Sequence, residues 1–130
     1  MASNTYSIVT EYRRESLCKI TSGAITSLPA ITHVVLGNGG LEEDGSVKVP
    51  DAKQTALNNE LGRYKVDEPQ YPVPATARYT VTVPEADLVG EVISEAALAD
   101  SEGNLCAIRN MLPKGKDEGV EFTFTFDDEF

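Results

Sequence analysis

Three glycines, Gly37, Gly39 and Gly40, fall within four residues, directly after the apolar run "ITHVVL" (31–36). Glycines behind a strand can bring backbone N–H groups up to a phosphate, so phosphate binding is the first chemistry to weigh. A dinucleotide-binding turn needs a third glycine three residues beyond the second, with a helix opening there. That position is Glu42, and Glu43 and Asp44 follow it. Three successive acids repel a phosphate, and the Gly-Lys-Ser/Thr of a P-loop is absent. The acids are hard oxygen ligands for calcium, but the alternating D-x-D-x-D-G spacing is missing. What remains is a solvated loop in which the glycines adopt φ > 0 at low cost.

The other reactive side chains are isolated. His33 is the only histidine and sits inside an apolar strand, which predicts a hydrogen-bonded structural role. Cys18 and Cys106 lie far apart, outside any C-x-x-C pair, and read as two small buried apolar residues. Neither forms a local signature with His33 for nucleophilic catalysis. With one histidine and no H-E-x-x-H, zinc chemistry has no ligand set. Carboxylates are so plentiful that no pair stands out as an acid and base. The expectation is therefore no catalytic residue, no cofactor-binding residue and no metal ligand.

Composition narrows the partners. The 130 residues carry 21 acids against 11 bases, a net charge of −10. Affinity for a phosphate backbone comes from lysine and arginine displacing counterions, so nucleic acid is excluded. An anionic membrane surface is disfavoured for the same reason. No apolar stretch approaches the ~20 residues of a membrane span, and the first residues lack the basic-then-apolar order of a signal peptide. A soluble protein made in the cytoplasm is expected, with residues 1–130 forming one domain.

The elements that would position these residues follow from local signals. Thr10 before Glu11 predicts a helix start, with Leu17, Ile20 and Ala24 near one face and Gly23 as the stop. Residues 31–36 read as a buried strand, and 37–50 as a long loop. Asp51 and Gln54 make a capping-box-like pair after Pro50. With Ala56, Leu57 and Leu61 as an apolar stripe and Gly62 as a stop, they predict a second helix over 52–61. "RYKV" (63–66) reads as a strand, and "DEPQYPVPA" (67–75), with three prolines, as an irregular connector. "RYTVTV" (78–83) alternates, placing Tyr79, Val81 and Val83 on one face. Residues 92–99 and 105–111 form a hairpin about "DSEGN" (100–104). "VEFTFTF" (120–126) alternates again, with Val120, Phe122, Phe124 and Phe126 on one side. One face packed on a core is the simplest account of that strand. The alternative is an edge strand exposed to a neighbouring subunit, with Asp127, Asp128 and Glu129 blocking uncontrolled pairing. The sum is an α+β fold: a mostly antiparallel β-sheet of about six strands with two short helices packed on one side.

Four stretches, in order, carry a resemblance: "YSIVTEYRRESLCKI" (6–20), "ITHVVLGNGG" (31–40), "QTALNNELGR" (54–63) and "ISEAALADSEGNLCAI" (93–108). Together they resemble the N-terminal domain of the phage tail-collar fibre protein family over roughly residues 6–126. The chain departs from the family pattern at Asn38, where Asp is commoner, and at Ala97, where Gly is commoner. Ala97 implies a negative φ there. The resemblance implies structural roles for Gly37, Gly39, Gly40, Gln54, Leu57, Asn59, Glu60, Arg63, Glu95 and Gly103, with Glu60 and Arg63 paired across the end of the second helix.

The resemblance also implies a structural virion component that docks on a phage tail or baseplate. Its partners would be other tail or baseplate proteins and copies of itself, a trimer being favoured, in a virion tail assembled in the host bacterial cytoplasm. The candidate contact surfaces are the 37–50 loop, the connector 69–74 and the C-terminal strand. Leu41, Val47, Tyr71, Phe124 and Phe126 are the candidate interface residues. The alternative is a small module that recognises a host-surface glycan or ligand. The chain has no tryptophan, so Tyr64 and Tyr71 are its best stacking surfaces.

Overall fold

A computed structural model describes residues 4–130. Among them are eight strands and one helix: β1 (Thr5–Val9), α1 (Glu11–Thr21), β2 (Ile31–Gly37), β3 (Glu60–Lys65), β4 (Gln70–Val73), β5 (Thr76–Val83), β6 (Val92–Asp100), β7 (Leu105–Gly115) and β8 (Phe122–Glu129). The fold is α+β and dominated by antiparallel β-structure, as the alternating segments predict. The strands divide between two sheets: a five-stranded one in the order β1-β7-β6-β2-β3 and a three-stranded one in the order β4-β5-β8.

The alternating residues of β5 and β8 explain how the sheets meet. Val81 pairs in register with Phe124, and Val83 with Phe122. Val81, Val83, Phe124 and Phe126 pack against Val34 and Leu36 of β2, Ala96 and Leu98 of β6, and Ala107 and Met111 of β7. The opposite face of the five-stranded sheet is also covered. There Val35, Ala97, Ala99 and Ile108 pack under Leu57, which comes from the long segment between β2 and β3. A strand buried on both faces loses the apolar-polar alternation of a half-buried one, and β6 accordingly reads "AALA" over 96–99.

Two sequence expectations are corrected. The helix over 52–61 does not form. Asp51 and Gln54 close a single turn, with the Asp51 N–H donating to Gln54 Oε1 at 2.8 Å and the Gln54 N–H to the Asp51 carbonyl at 3.0 Å. Beyond it Leu57 is drawn into the outer core, and the N–H groups of Asn58 and Asn59 leave the chain's own ladder for a side-chain carboxylate. Gly62, read as a stop, lies within β3 opposite Leu36. The connector 67–75, for its part, is ordered as a hairpin between β4 and β5, with Val73 opposite Thr76. Pro72, the one proline inside β4, is tolerated because β4 is an edge strand and need not donate outward, and Pro69 and Pro74 flank the strand.

The single helix lies across strand ends and covers no sheet face. Thr10 fixes its start: the Thr10 Oγ1 accepts from the Arg13 N–H at 3.3 Å and donates to the Leu105 carbonyl at 2.7 Å. No residue of α1 is buried, and its attachments are polar. Tyr12 donates to Asp100 Oδ2 at 2.7 Å at the end of β6. Arg13 grips Asp128 of β8 with two hydrogen bonds, at 2.7 and 2.6 Å. The same Asp100 takes the N–H groups of Glu102 and Asn104, so the 100–104 turn and the helix share one anchor. Gly103 completes that turn at φ +88°, a left-handed conformation that favours glycine.

Candidate functional site: the Glu95 clamp and the surrounding contact surfaces

Of the residues singled out by the resemblance, Gly37, Gly39, Gly40 and Asn59 converge on Glu95. Its side chain lies on the outer face of β6 and is fully buried. One carboxylate oxygen accepts from the N–H groups of Gly39 and Asn59, each at 2.8 Å. The other accepts from the Asn58 N–H at 2.9 Å and, more weakly, from its side-chain amide at 3.4 Å. A carboxylate is an acceptor only, and here donors from two loop segments occupy both oxygens. Among the described residues no lysine or arginine lies within ion-pair distance, so N–H dipoles alone answer this charge.

The glycines exist to let this happen. Gly37, Gly39 and Gly40 are absent from the positive-φ residues, so the expected reason for them is corrected. Space decides instead. A Cβ on Gly37 would lie 2.6 Å from Glu95 Oε2 and 2.5 Å from the Asn59 carbonyl. On Gly39 it would meet Glu95 Oε2 at 2.8 Å, and on Gly40 the Ser94 carbonyl at 2.0 Å. The three glycines are the places where the loop backbone lies directly on β6. Gly40 also donates to Ser94 Oγ at 2.9 Å, and Lys48 donates back to the Gly40 carbonyl at 2.9 Å. Asn38 and Asn59 join side chain to side chain across the clamp.

A second cluster stands beside the first. Arg63 Nε meets Glu60 Oε2 at 3.0 Å and Arg63 Nη1 donates to the Gly103 carbonyl at 3.1 Å, tying β3 to the 100–104 turn. The Glu60–Arg63 pair therefore exists, but on a strand and not at a helix end. Gln54 stays apart in its own turn, and Leu57 belongs to the outer core. Ala97 has a negative φ, as its departure from glycine implies.

The candidate interface residues divide. Tyr71 is 69% exposed, on the edge strand β4 beside the exposed Val73. Leu41 and Val47 bridge to each other across the 37–50 loop, with Leu41 half-buried and Val47 buried. Phe124 and Phe126 are both core residues, 3% exposed, so this surface of β8 is already occupied by the chain itself. The terminal acids are not free edge guards either. Asp127 pairs with Arg78 at 2.8 Å and Asp128 with Arg13 at 2.6 Å, and the Arg78 guanidinium holds the Asp127 carboxyl below the usual range.

His33 and the cysteines are separately engaged. His33 Nδ1 shares a hydrogen bond with Thr32 Oγ1 at 2.9 Å. Cys18 is exposed, which corrects its expected burial, whereas Cys106 is buried. Burial, with help from the nearby Asp100, pushes the Cys106 thiol from about 9 up to about 11. The native state therefore keeps this proton where the unfolded chain gives it up. Stability is expected to fall as pH rises from about 9 to about 11. Urea midpoints measured across that range should decline less steeply in Cys106→Ala than in the parent. Parallel slopes would show that the thiol is not responsible.

Sequence reasoning missed Asn58, Ser94, Arg13 and Arg109 as members of these contacts. Arg109 had a visible signal: it is the lone charge in the strand sequence "CAIRNM" (106–111), at a position alternating with Ala107 and Met111. The others become visible only when distant segments meet. Among the described residues no group of three or more His, Cys, Asp or Glu side chains could hold a metal ion, and no helix is long and apolar enough to cross a membrane.

Residues 1–122 match the family model described as phage tail-collar fibre protein, N-terminal. No curated protein and no solved structure matches the chain.

Proposed function

The chain belongs to the phage tail-collar fibre protein family, a structural and normally non-enzymatic tail family, and from that premise we propose that it docks on a tail or baseplate by surface complementarity, without turnover. The family match over 1–122 carries this reading. The Glu95 clamp supports it, because it holds the 37–59 segment in one conformation against the sheet. A docking surface benefits from that rigidity, since less ordering is then lost on association. The surfaces offered to neighbours are the 41–47 loop and the β4 edge at Tyr71. The docked form is a homo-oligomer, a trimer, located in the virion tail after synthesis in the host bacterial cytoplasm.

Immunogold labelling of purified particles tests the docking role. Label at the tail or baseplate is the expected result, and particles without label would reject it. Light scattering after size-exclusion chromatography is expected to give three times the 14.0 kDa chain mass. A glycan-recognition module gains less support. Tyr64 is half-buried against the core and donates to Asp87 at 3.2 Å, which leaves Tyr71 as a single exposed ring on an edge strand.

A further inference from the structure

The two sheets end on the same flank. β1 is the last strand of one and β8 of the other, and a groove of about 400 Å³ runs between them, lined by residues of β1, β7 and β8. No described strand pairs with the outer side of β8. An eight-residue edge strand is a template for pairing with another chain, and proteins usually guard it with uncompensated charge. Here the guard is largely cancelled, because Asp127 and Asp128 are neutralised by Arg78 and Arg13.

Arg109 lines the same groove. Its guanidinium lies over the Phe126 ring, 4.3 Å from the centroid, and Nη1 reaches the Thr125 carbonyl at 3.4 Å. Among the described residues no carboxylate comes within ion-pair distance of it, and Nε and Nη2 have no partner. Arginine keeps its charge at any ordinary pH and offers five N–H donors in a planar fork shaped for a carboxylate. A permanent cation is thus held in the groove with part of its fork turned to no acceptor of the described residues.

We propose that this flank receives an extended segment of a different tail protein, added as a strand along β8, with an Asp or Glu side chain turned inward onto Arg109. Both features call for the same occupant: the open edge for backbone N–H and C=O groups, the guanidinium for an acid. A second copy of this flank does not fit. The core-facing residues of β8 are Phe122, Phe124, Phe126 and Asp128, the last already held by Arg13. On β1, Ser7 stands opposite Arg109, and neither it nor Val9 is an acid. Of the acids nearest Arg109, Asp127 is held by Arg78 and Glu129 makes no ion pair among the described residues, so the direct carboxylate contact is left to an incoming side chain.

This inference rests on the docking role proposed above, and site-specific cross-linking on assembled particles separates the two. p-Benzoyl-phenylalanine is placed at Ser7, at Glu129 and, as a control on the outer face of the second sheet, at Thr82. After irradiation the linked peptides are identified by mass spectrometry. The expected result is that positions 7 and 129 link to one segment of another particle protein containing an Asp or Glu, while position 82 does not. Arg109→Gln should retain its melting temperature and reduce the copies held on particles about ten-fold or more, with Arg109→Lys intermediate. Particles that carry the protein but give no such link, links only to a second copy, or an acid-free linked segment would each overturn the inference and leave docking intact. Particles without the protein would overturn both.

Discussion

Replacing Glu95 with alanine is expected to lower the free energy of unfolding by about 3 kcal/mol, because three backbone N–H groups lose their acceptor at once. Gly39, Asn58 and Asn59 each donate to this one side chain at 2.8–2.9 Å. A fully orphaned buried donor costs about 1–3 kcal/mol, and the total stays below three times that because Asn58 and Asn59 are near solvent and water can replace part of what is lost. For a chain of this size a loss of that order lowers the melting temperature by roughly 10 °C. The conservative variant makes the argument sharper. Glu95→Gln keeps the volume but turns one acceptor into an amide NH2 donor facing N–H groups, so it should fail to restore stability. Chemical denaturation of the two variants, with hydrogen exchange at the Gly39 and Asn59 amides, checks this. A Glu95→Ala protein within about 0.5 kcal/mol of the parent, the range of an ordinary surface substitution, would show that the clamp is not structural.

Gly40→Ala is expected to cost a similar amount, about 3 kcal/mol at the upper end of overpacking, for an unrelated reason. The new Cβ would lie 2.0 Å from the Ser94 carbonyl oxygen and 2.7 Å from its carbon, both backbone atoms of the neighbouring strand. Backbone in a sheet cannot rotate aside as a side-chain tip can, so the loop must lift off β6. Lifting it also lengthens the hydrogen bonds to Glu95, and Gly40→Ala should therefore be strongly non-additive with Glu95→Ala. Two controls separate space from conformation. Trimming the neighbour with Ser94→Gly should not rescue Gly40→Ala, because the clash is with main chain. Gly103→Ala meets nothing closer than Arg63 Nη1 at 3.7 Å, and should cost only the ~1–2 kcal/mol of a left-handed residue with a side chain. Thermal melts of these variants decide the point. Rescue by Ser94→Gly would refute the account.

Both predictions concern residues that the family resemblance marked before their chemistry was visible. Gly37, Gly39, Gly40, Asn59 and Glu95 could be ranked together from motif order, but their reason could not be read there. Glycine after a strand looks the same whether it serves a left-handed turn or a close approach, because only a neighbouring backbone distinguishes them. The 52–61 segment misled for a related reason. A capping box and an apolar stripe are sound local signals for a helix, but Glu95, thirty-odd residues further on, competes for the very N–H groups that a helix would use. Tertiary contacts routinely override propensity in a segment this short.

The phenylalanine strand shows the opposite case. Alternation in "FTFTF" (122–126) separates a buried face from a solvated one whatever the partner is, so the core positions of Phe124 and Phe126 follow from period alone. The sequence by itself determined the β-rich class, six of the eight described strands, the 100–104 turn, the Thr10 helix start and the family, because pleat, turn and cap chemistry act between near neighbours. Only the tertiary structure decided that the strands divide into two sheets, that a buried carboxylate pins the glycine loop, and that Arg109 lies between two strand edges with no carboxylate of the described residues within ion-pair distance. Those outcomes depend on which distant groups compete for the same donors and the same space, and that competition is settled only when the chain is folded.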